Sequence, residues 1–217
     1  MTDTTAAKQY DSVSTDEVTS GPGLIYCCAK RAFDIVLSLI LLLPTAVIAI
    51  VLLLLNPFFN AGPLLFIQPR MGKGCRAFPA IKFRTMTPER CITRGADDPV
   101  ELNRITKLGN ILRKNRIDEL PQVLNVLRGD MSLIGPRPDY FHHARRYIRL
   151  IPEYRDRHCM RPGISGLAQT EIGYVNGIDE TKKKVSADLY YIQNASFAMD
   201  SYVLMRTIYV VFARLGS

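Results

Sequence analysis

Hydrophobic positions are concentrated in one block near the start of the chain. Residues 1–23 are polar, rich in Thr, Ser and Asp, and close on Gly21-Pro22-Gly23. They lack any apolar period and read as a disordered tail. The segment 24–60 is hydrophobic, and its stretch Ile35–Leu55 carries no charge and is long enough to cross a bilayer as a helix. Its late start, with no small-residue cleavage site after it, speaks against a secretory signal. Two topologies compete: a straight transmembrane anchor, and a broken helix that enters and leaves the membrane on one face. Pro44 sits mid-block, removes a backbone donor and crowds the carbonyl of Ile40. Lys30 and Arg31 precede the block, and Arg70, Lys73 and Arg76 follow it. Positive residues near both ends suit a segment whose two ends are cytoplasmic. Transmembrane helices tolerate proline, so the residues alone leave both topologies open.

Beyond the block the pattern becomes that of a mainly helical α/β domain over residues 61–217. Asn56-Pro57 and Ala61-Gly62-Pro63 are turn signals. Leu64–Gln68 and Phe78–Met86 read as strands joined by a hairpin turn at Met71-Gly72-Lys73-Gly74. From Pro99 onward Leu102, Ile105, Leu108 and Leu112 recur at helical spacing, with Lys107, Arg113 and Lys114 on the rest of the surface. That is an amphipathic basic helix, suited either to a membrane surface or to an ordinary core. Ile117–Leu127 reads as a short helix ended by Gly129. Residues 139–158 form a basic helical stretch interrupted near Pro152, Lys182–Asn194 reads as a helix, and Tyr202–Leu215 is apolar enough to pack on the core or the membrane.

Charge narrows the partners. The chain has a formal net charge of +8, and residues 70–161 alone hold 20 Lys and Arg against 10 Asp and Glu. Such a surface suits phosphates, anionic lipid head groups or nucleic acid, and also plain solubility. No base-reading helix or RNA-binding strand is visible, and aromatic residues are not interleaved with the basic ones, so nucleic acid is set aside. Cys27, Cys28, Cys75, Cys91 and Cys159 show no metal-binding spacing and read as free thiols, with Cys27-Cys28 placed where a lipid could be attached.

Four clusters carry candidate chemistry: Lys82-Phe83-Arg84-Thr85-Met86, Asp118-Glu119-Leu120-Pro121-Gln122, Ser132–Pro138, and Arg161–Gln169. Adjacent carboxylates at a helix start are often no more than favourable dipole partners. Here Arg113, Lys114 and Arg116 lie close by and favour the ionised forms. Two carboxylates among cations can perform phosphoryl chemistry, one as nucleophile and the other holding magnesium. Pro136-Arg137-Pro138 presents one guanidinium between two rigid residues, or is an ordinary surface turn. Gly163, Ser165 and Gly166 form a loop whose backbone can approach a phosphate.

Together, in this order, the clusters resemble the bacterial sugar transferases, the monotopic phosphoglycosyl transferases that start glycan assembly on undecaprenyl phosphate. The likeness runs from about Lys30 to Phe212 and has no additional transmembrane helices. It implies a re-entrant membrane helix over 24–60 and a compact domain with a short β-hairpin and amphipathic surface helices. It implies transfer of a sugar 1-phosphate from a UDP-sugar to undecaprenyl phosphate, at the cytoplasmic face of the bacterial inner membrane, among phospholipids. Asp118 would be the nucleophile and Glu119 the ligand of Mg2+. Lys82, Arg84, Arg113, Pro136, Arg137, Pro138, Gln169 and Asp188 would bind substrate. A homodimer is compatible with the sequence. The family's re-entrant helix often has serine before its proline, whereas Leu43 precedes Pro44 here. Two other classes share some of these features: a membrane-anchored binding protein, for which Asp118 would have no task, and a magnesium-dependent aspartyl-phosphate phosphatase, for which water would be the acceptor.

Overall fold

The computed structural model describes residues 22–60, 62–88, 101–173 and 177–212. The tail expected over 1–23 lies almost wholly outside the described residues. Helix α1 spans Leu24–Phe59 and runs through Pro44 and Pro57 without interruption. Its 36 residues would measure about 54 Å if straight, far more than the roughly 30 Å of a hydrocarbon core. One stripe is buried, comprising Lys30, Asp34, Ser38, Thr45, Leu52 and Asn56. The opposite face exposes Val36, Leu39, Ile40, Leu43, Val47, Ile50, Leu53 and Leu54.

Both halves of α1 pack on the same domain. In the first half, Lys30 pairs with Asp200 at 2.7 Å and Arg31 donates to the carbonyls of Val126 and Leu127. Asp34 accepts from the Leu133 amide at 3.0 Å. In the second half, Leu52 packs with Phe83 and Leu112. Asn60 donates to the Arg84 carbonyl at 2.8 Å, just beyond the helix end. One domain thus holds both halves of the helix.

The hairpin forms where expected. β1 (Leu65–Met71) pairs antiparallel with β2 (Ala77–Phe83), Leu65 facing Phe83 and Met71 facing Ala77. The turn needs Gly74, whose φ of 65° is open to glycine at little cost. A second sheet of two short strands was not expected. β3 (Ser132–Ile134) runs parallel to β4 (Gly163–Ser165), which brings the third and fourth clusters side by side. Gly135, Gly163 and Gly166 make that closeness possible. A methyl at Gly163 would collide with the backbone of Gly135 and Ser165. Gly163→Ala should therefore cost about 2–4 kcal/mol of stability, measured as a lower thermal midpoint, while Gly23→Ala, where a methyl meets nothing, should leave it unchanged.

The helices differ from expectation at their ends. The amphipathic pattern from Pro99 is not one helix. A 3-10 turn covers Leu102–Arg104, and α2 begins only at Lys107, because the Thr106 hydroxyl caps it by accepting from the Gly109 amide at 2.9 Å. Ile117–Leu127 divides into a 3-10 helix, Ile117–Gln122, and α3, Val123–Arg128, closed by Gly129 at φ 91°. Residues 139–158 divide at Pro152 into α4 (Phe141–Leu150) and a 3-10 helix, Pro152–His158. Short α5 covers Leu167–Glu171. α6 (Ile178–Gln193) and α7 (Phe197–Phe212) each start several residues earlier than the apolar pattern suggested. The main core joins α4, α6, α7 and the 152–158 turn through Tyr147, Tyr154, Leu189, Tyr191 and Val203. A smaller one joins β2 to α3 through Phe78, Ala80, Val126 and Met131.

Candidate active site

The site is built where β2, the 117–122 turn and the 135–138 loop meet. β2 presents Lys82 near its end. Asn125 holds α3 against that strand: its side chain accepts from the Ile81 amide at 3.0 Å and donates to the Pro79 carbonyl at 2.8 Å. The chain enters the 117–122 turn through Arg116, a non-glycine residue at φ 54°. Such a conformation persists only where its surroundings enforce it, and it is common at functional sites. It sends Asp118 and Glu119 inward, where both are buried.

Glu119 is surrounded by cations. Lys82 Nζ lies 2.7 Å from Oε1. Arg137 forks onto the carboxylate, Nη1 to Oε2 at 3.1 Å and Nη2 to Oε1. Arg116 Nη1 is 3.9 Å from Oε2. Burial opposes ionisation, but Arg137 and Lys82 outweigh it and hold the Glu119 carboxyl well below the usual range. Asp118 differs. Its nearest cation is Lys82, at 4.0 Å. Burial raises its carboxyl above the ordinary value, the neighbouring Glu119 charge adds to that, and Lys82, Arg137 and Arg113 offset it only in part. The pair thus comprises one fixed anion and one carboxylate that is less stabilised and more basic.

Gln169, with its amide oxygen toward Arg116, accepts from that guanidinium and donates to the Ile164 carbonyl. Arg137 Nη1 also donates to Ile164 O at 3.1 Å. Clusters one to four therefore converge through Lys82, Asp118, Glu119, Arg137 and Gln169. Pro136 and Pro138 flank Arg137 on the backbone. Arg113 contributes charge near Asp118, and its buried Nη1 has no hydrogen-bond partner among the described residues.

Two expected substrate-binding residues are placed elsewhere. β2 ends at Phe83, so Arg84 no longer follows the strand's alternation. Its guanidinium donates to the Asn60 carbonyl, under Gly62 at the exit of α1. Asp188 is 1% exposed on α6 and pairs with Arg157 at 2.6 Å, behind the 136–139 loop. Arg116, Asn125, Asp139 and Arg157 are site-building residues that sequence reasoning did not single out as such. Arg116 stood out only as a nearby charge, and Arg157 lies in a basic run that reads as surface.

The chain is similar to proteins of known family. A family model described as bacterial sugar transferase matches residues 25–214. A UDP-N-acetylgalactosamine-undecaprenyl-phosphate N-acetylgalactosaminephosphotransferase of Aeromonas hydrophila is 40% identical over 197 residues, 90% of this chain and 46% of that protein. The exopolysaccharide production protein PSS of Rhizobium leguminosarum bv. phaseoli is 42% identical over 189 residues, 82% of this chain and 92% of its own length. A UDP-glucose:undecaprenyl-phosphate glucose-1-phosphate transferase of Caulobacter vibrioides is 39% identical, over 82% of this chain and 68% of that protein. The chain thus spans about half the length of the Aeromonas relative and most of the Rhizobium one. With the family match covering nearly all of the described chain, it belongs to the bacterial sugar transferase family.

Proposed function

We propose that this chain transfers a sugar 1-phosphate from a UDP-sugar to undecaprenyl phosphate, and that Asp118 carries the phosphosugar between the two. The observation that carries the reading is the asymmetry of the carboxylate pair. Glu119 is fixed as an anion among Lys82, Arg137 and Arg116, while Asp118, buried beside them, is left the more basic. An Asp118 oxygen attacks the β-phosphorus of the donor, and the bond from that phosphorus to the bridging oxygen breaks, releasing UMP. A phosphate oxygen of the lipid then attacks the same phosphorus. The bond to Asp118 breaks, the carboxylate is restored, and the sugar leaves on a lipid diphosphate. Lys82, Arg116 and Arg137 offer positive charge to the phosphoryl oxygens as they gain negative charge.

Magnesium fits the donor type. It takes one or two carboxylates and fills its shell with water and phosphate oxygens. No group of three or more metal-binding side chains occurs among the described residues, so an ion here would be shared with the substrate rather than caged by protein. Glu119 would hold it, exchanging part of its pairing with Lys82 and Arg137. The bound ion would neutralise charge on the diphosphate.

The reading places the domain at the cytoplasmic face of the inner membrane. The apolar outer face of α1 lies in the bilayer, and both halves of the helix return to one domain. Exposed Tyr202, Met205, Ile208 and Tyr209 on α7 add a second apolar surface. An acceptor phosphate at the interface could then meet a soluble nucleotide sugar.

The test is UMP release by the membrane-embedded protein with Mg2+, undecaprenyl phosphate and, in turn, UDP-glucose, UDP-galactose and their N-acetylamino counterparts. Multiple-turnover release from one donor that needs both lipid and metal is expected. Release of UMP and free sugar 1-phosphate without lipid, turnover after turnover with water as acceptor, would overturn the transferase reading.

The pH profile follows from Asp118. It must be ionised to attack, so activity is lost as pH falls through its raised pKa. The acid limb of kcat/KM should therefore lie above the ordinary aspartate value. Lys82 favours the ionised form, so Lys82→Met should push that limb higher still and lower kcat/KM at neutral pH by about 10²-fold. An acid limb unmoved by the substitution would contradict the assignment.

A further inference from the structure

Behind the Pro136-Arg137-Pro138-Asp139 loop lies a buried charge network outside the proposed chemistry. Arg157 is its centre, and its side chain has no exposed surface. Its Nη1 donates to Asp139 at 2.5 Å and its Nη2 pairs with Asp188 at 2.6 Å. The same Nη2 donates to the Arg137 carbonyl at 2.7 Å. Asp139 also accepts from Tyr154 Oη at 2.6 Å and Lys184 Nζ at 2.5 Å. Two cations and two anions thus form a neutral quartet from the loop, the 152–158 turn and α6.

The loop in front of it is held at four successive carbonyls. Pro136 O accepts from the Gly163 amide at 3.0 Å, and Asp139 O from the Met71 amide at 3.1 Å. Pro138 O accepts from Arg70 Nη1 at 2.7 Å. Arg137 O accepts from Arg157. Of these four, only the bond at Arg137 depends on a buried charged side chain, and that side chain is shared between Asp139 and Asp188. Without Asp188, the Asp139 carboxylate would have to balance both Arg157 and Lys184.

We infer that Asp188 is a positioning residue: through Arg157 it fixes the backbone of Arg137 so that the guanidinium stays forked onto Glu119. This rests on the reading of Arg137 and Glu119 as reaction machinery. Preorganisation of this kind governs rate steeply, since small displacements of a binding group are costly.

The test is a double-mutant cycle in the full-length protein in membranes, with the most active donor of the panel above. Asp188→Asn should lower kcat by about 10–10²-fold while KM moves within about twofold. In an Arg137→Ala background the same substitution should cost less than about threefold, because the group it positions is gone. Equal losses in both backgrounds would overturn the inference, and so would an Asp188→Asn protein as active as wild type. If Asp188→Asn does not fold, Arg157→Lys goes through the same cycle. It keeps the charge but cannot reach Asp139, Asp188 and the Arg137 carbonyl together, and the same two outcomes decide. An Arg137→Ala protein with wild-type activity would instead sink the proposed function.

Discussion

Asp118→Asn should reduce UMP release at least about 10³-fold, because the amide cannot form the phosphoryl bond and no other group replaces it. The same substitution should leave the thermal midpoint unchanged or raise it. The reason is the sign of the Asp118 shift. Burial raises its pKa in the folded state, so the ionised carboxylate at neutral pH is less favourable in the fold than in the unfolded chain. A neutral amide of the same shape removes that cost. Loss of activity with retained or improved stability is what a group placed for chemistry predicts. Initial-rate UMP release and thermal unfolding of the same preparation measure both.

Glu119→Gln should behave in the opposite way towards stability. Glu119 is held well below its ordinary pKa, so it contributes stability above the unfolded value, and this is lost only as pH falls through the folded one. At neutral pH the full contribution is present. Replacing the anion leaves half-buried Lys82 and Arg137 beside each other, with only the more distant Asp118 to balance them. Removing one partner from a buried cluster of this kind costs about 3–5 kcal/mol, which for a chain of this size lowers the thermal midpoint by roughly 10 °C. Activity should fall by about 10²–10³-fold, because the cations that receive the phosphates lose their alignment. Two neighbouring carboxylates with opposite effects on stability are hard to explain as a paired helix cap. A stability loss of equal size in both variants would contradict the asymmetry.

Much of this site was legible in the sequence because its parts are local. Gly72 and Gly74 mark the hairpin that presents Lys82, and Asp118-Glu119 stand out as paired carboxylates among arginines. Pro136 and Pro138 mark the loop whose arginine reaches Glu119. What stayed hidden depends on pairings distant in sequence. Arg84 lies two residues beyond Lys82, which on a continuing strand would share its face. The strand ends between them, and Arg84 turns to Asn60 instead. The run Arg155-Asp156-Arg157-His158 reads as a solvated basic surface. Its 3-10 geometry brings positions three apart to one side, so Tyr154 and Arg157 both face the core while Arg155 stays exposed. Asp188 sits on the buried face of α6 beside Val185, Leu189 and Ile192. A carboxylate there signals a buried partner, but its identity as Arg157 appears only once the 152–158 turn folds against the helix.

The buried face of α1 gives a related lesson. Ile35–Leu55 reads as uniformly apolar, yet Ser38, Thr45 and, just outside that stretch, Asp34 and Asn56 define the stripe that meets the domain. Helical spacing collects these scattered polar residues onto one side. The remaining surface is apolar and faces outward.

The central claim is that Asp118 takes the phosphosugar, and intact-mass analysis tests it most directly. The wild-type protein would be mixed with Mg2+ and the active UDP-sugar, without undecaprenyl phosphate. The account predicts stoichiometric UMP and a sugar-phosphate adduct on the peptide containing Asp118, discharged when the lipid is added. Full turnover in the presence of lipid, with neither adduct nor UMP in its absence, would mean that the lipid attacks the donor directly and that Asp118 is not the nucleophile.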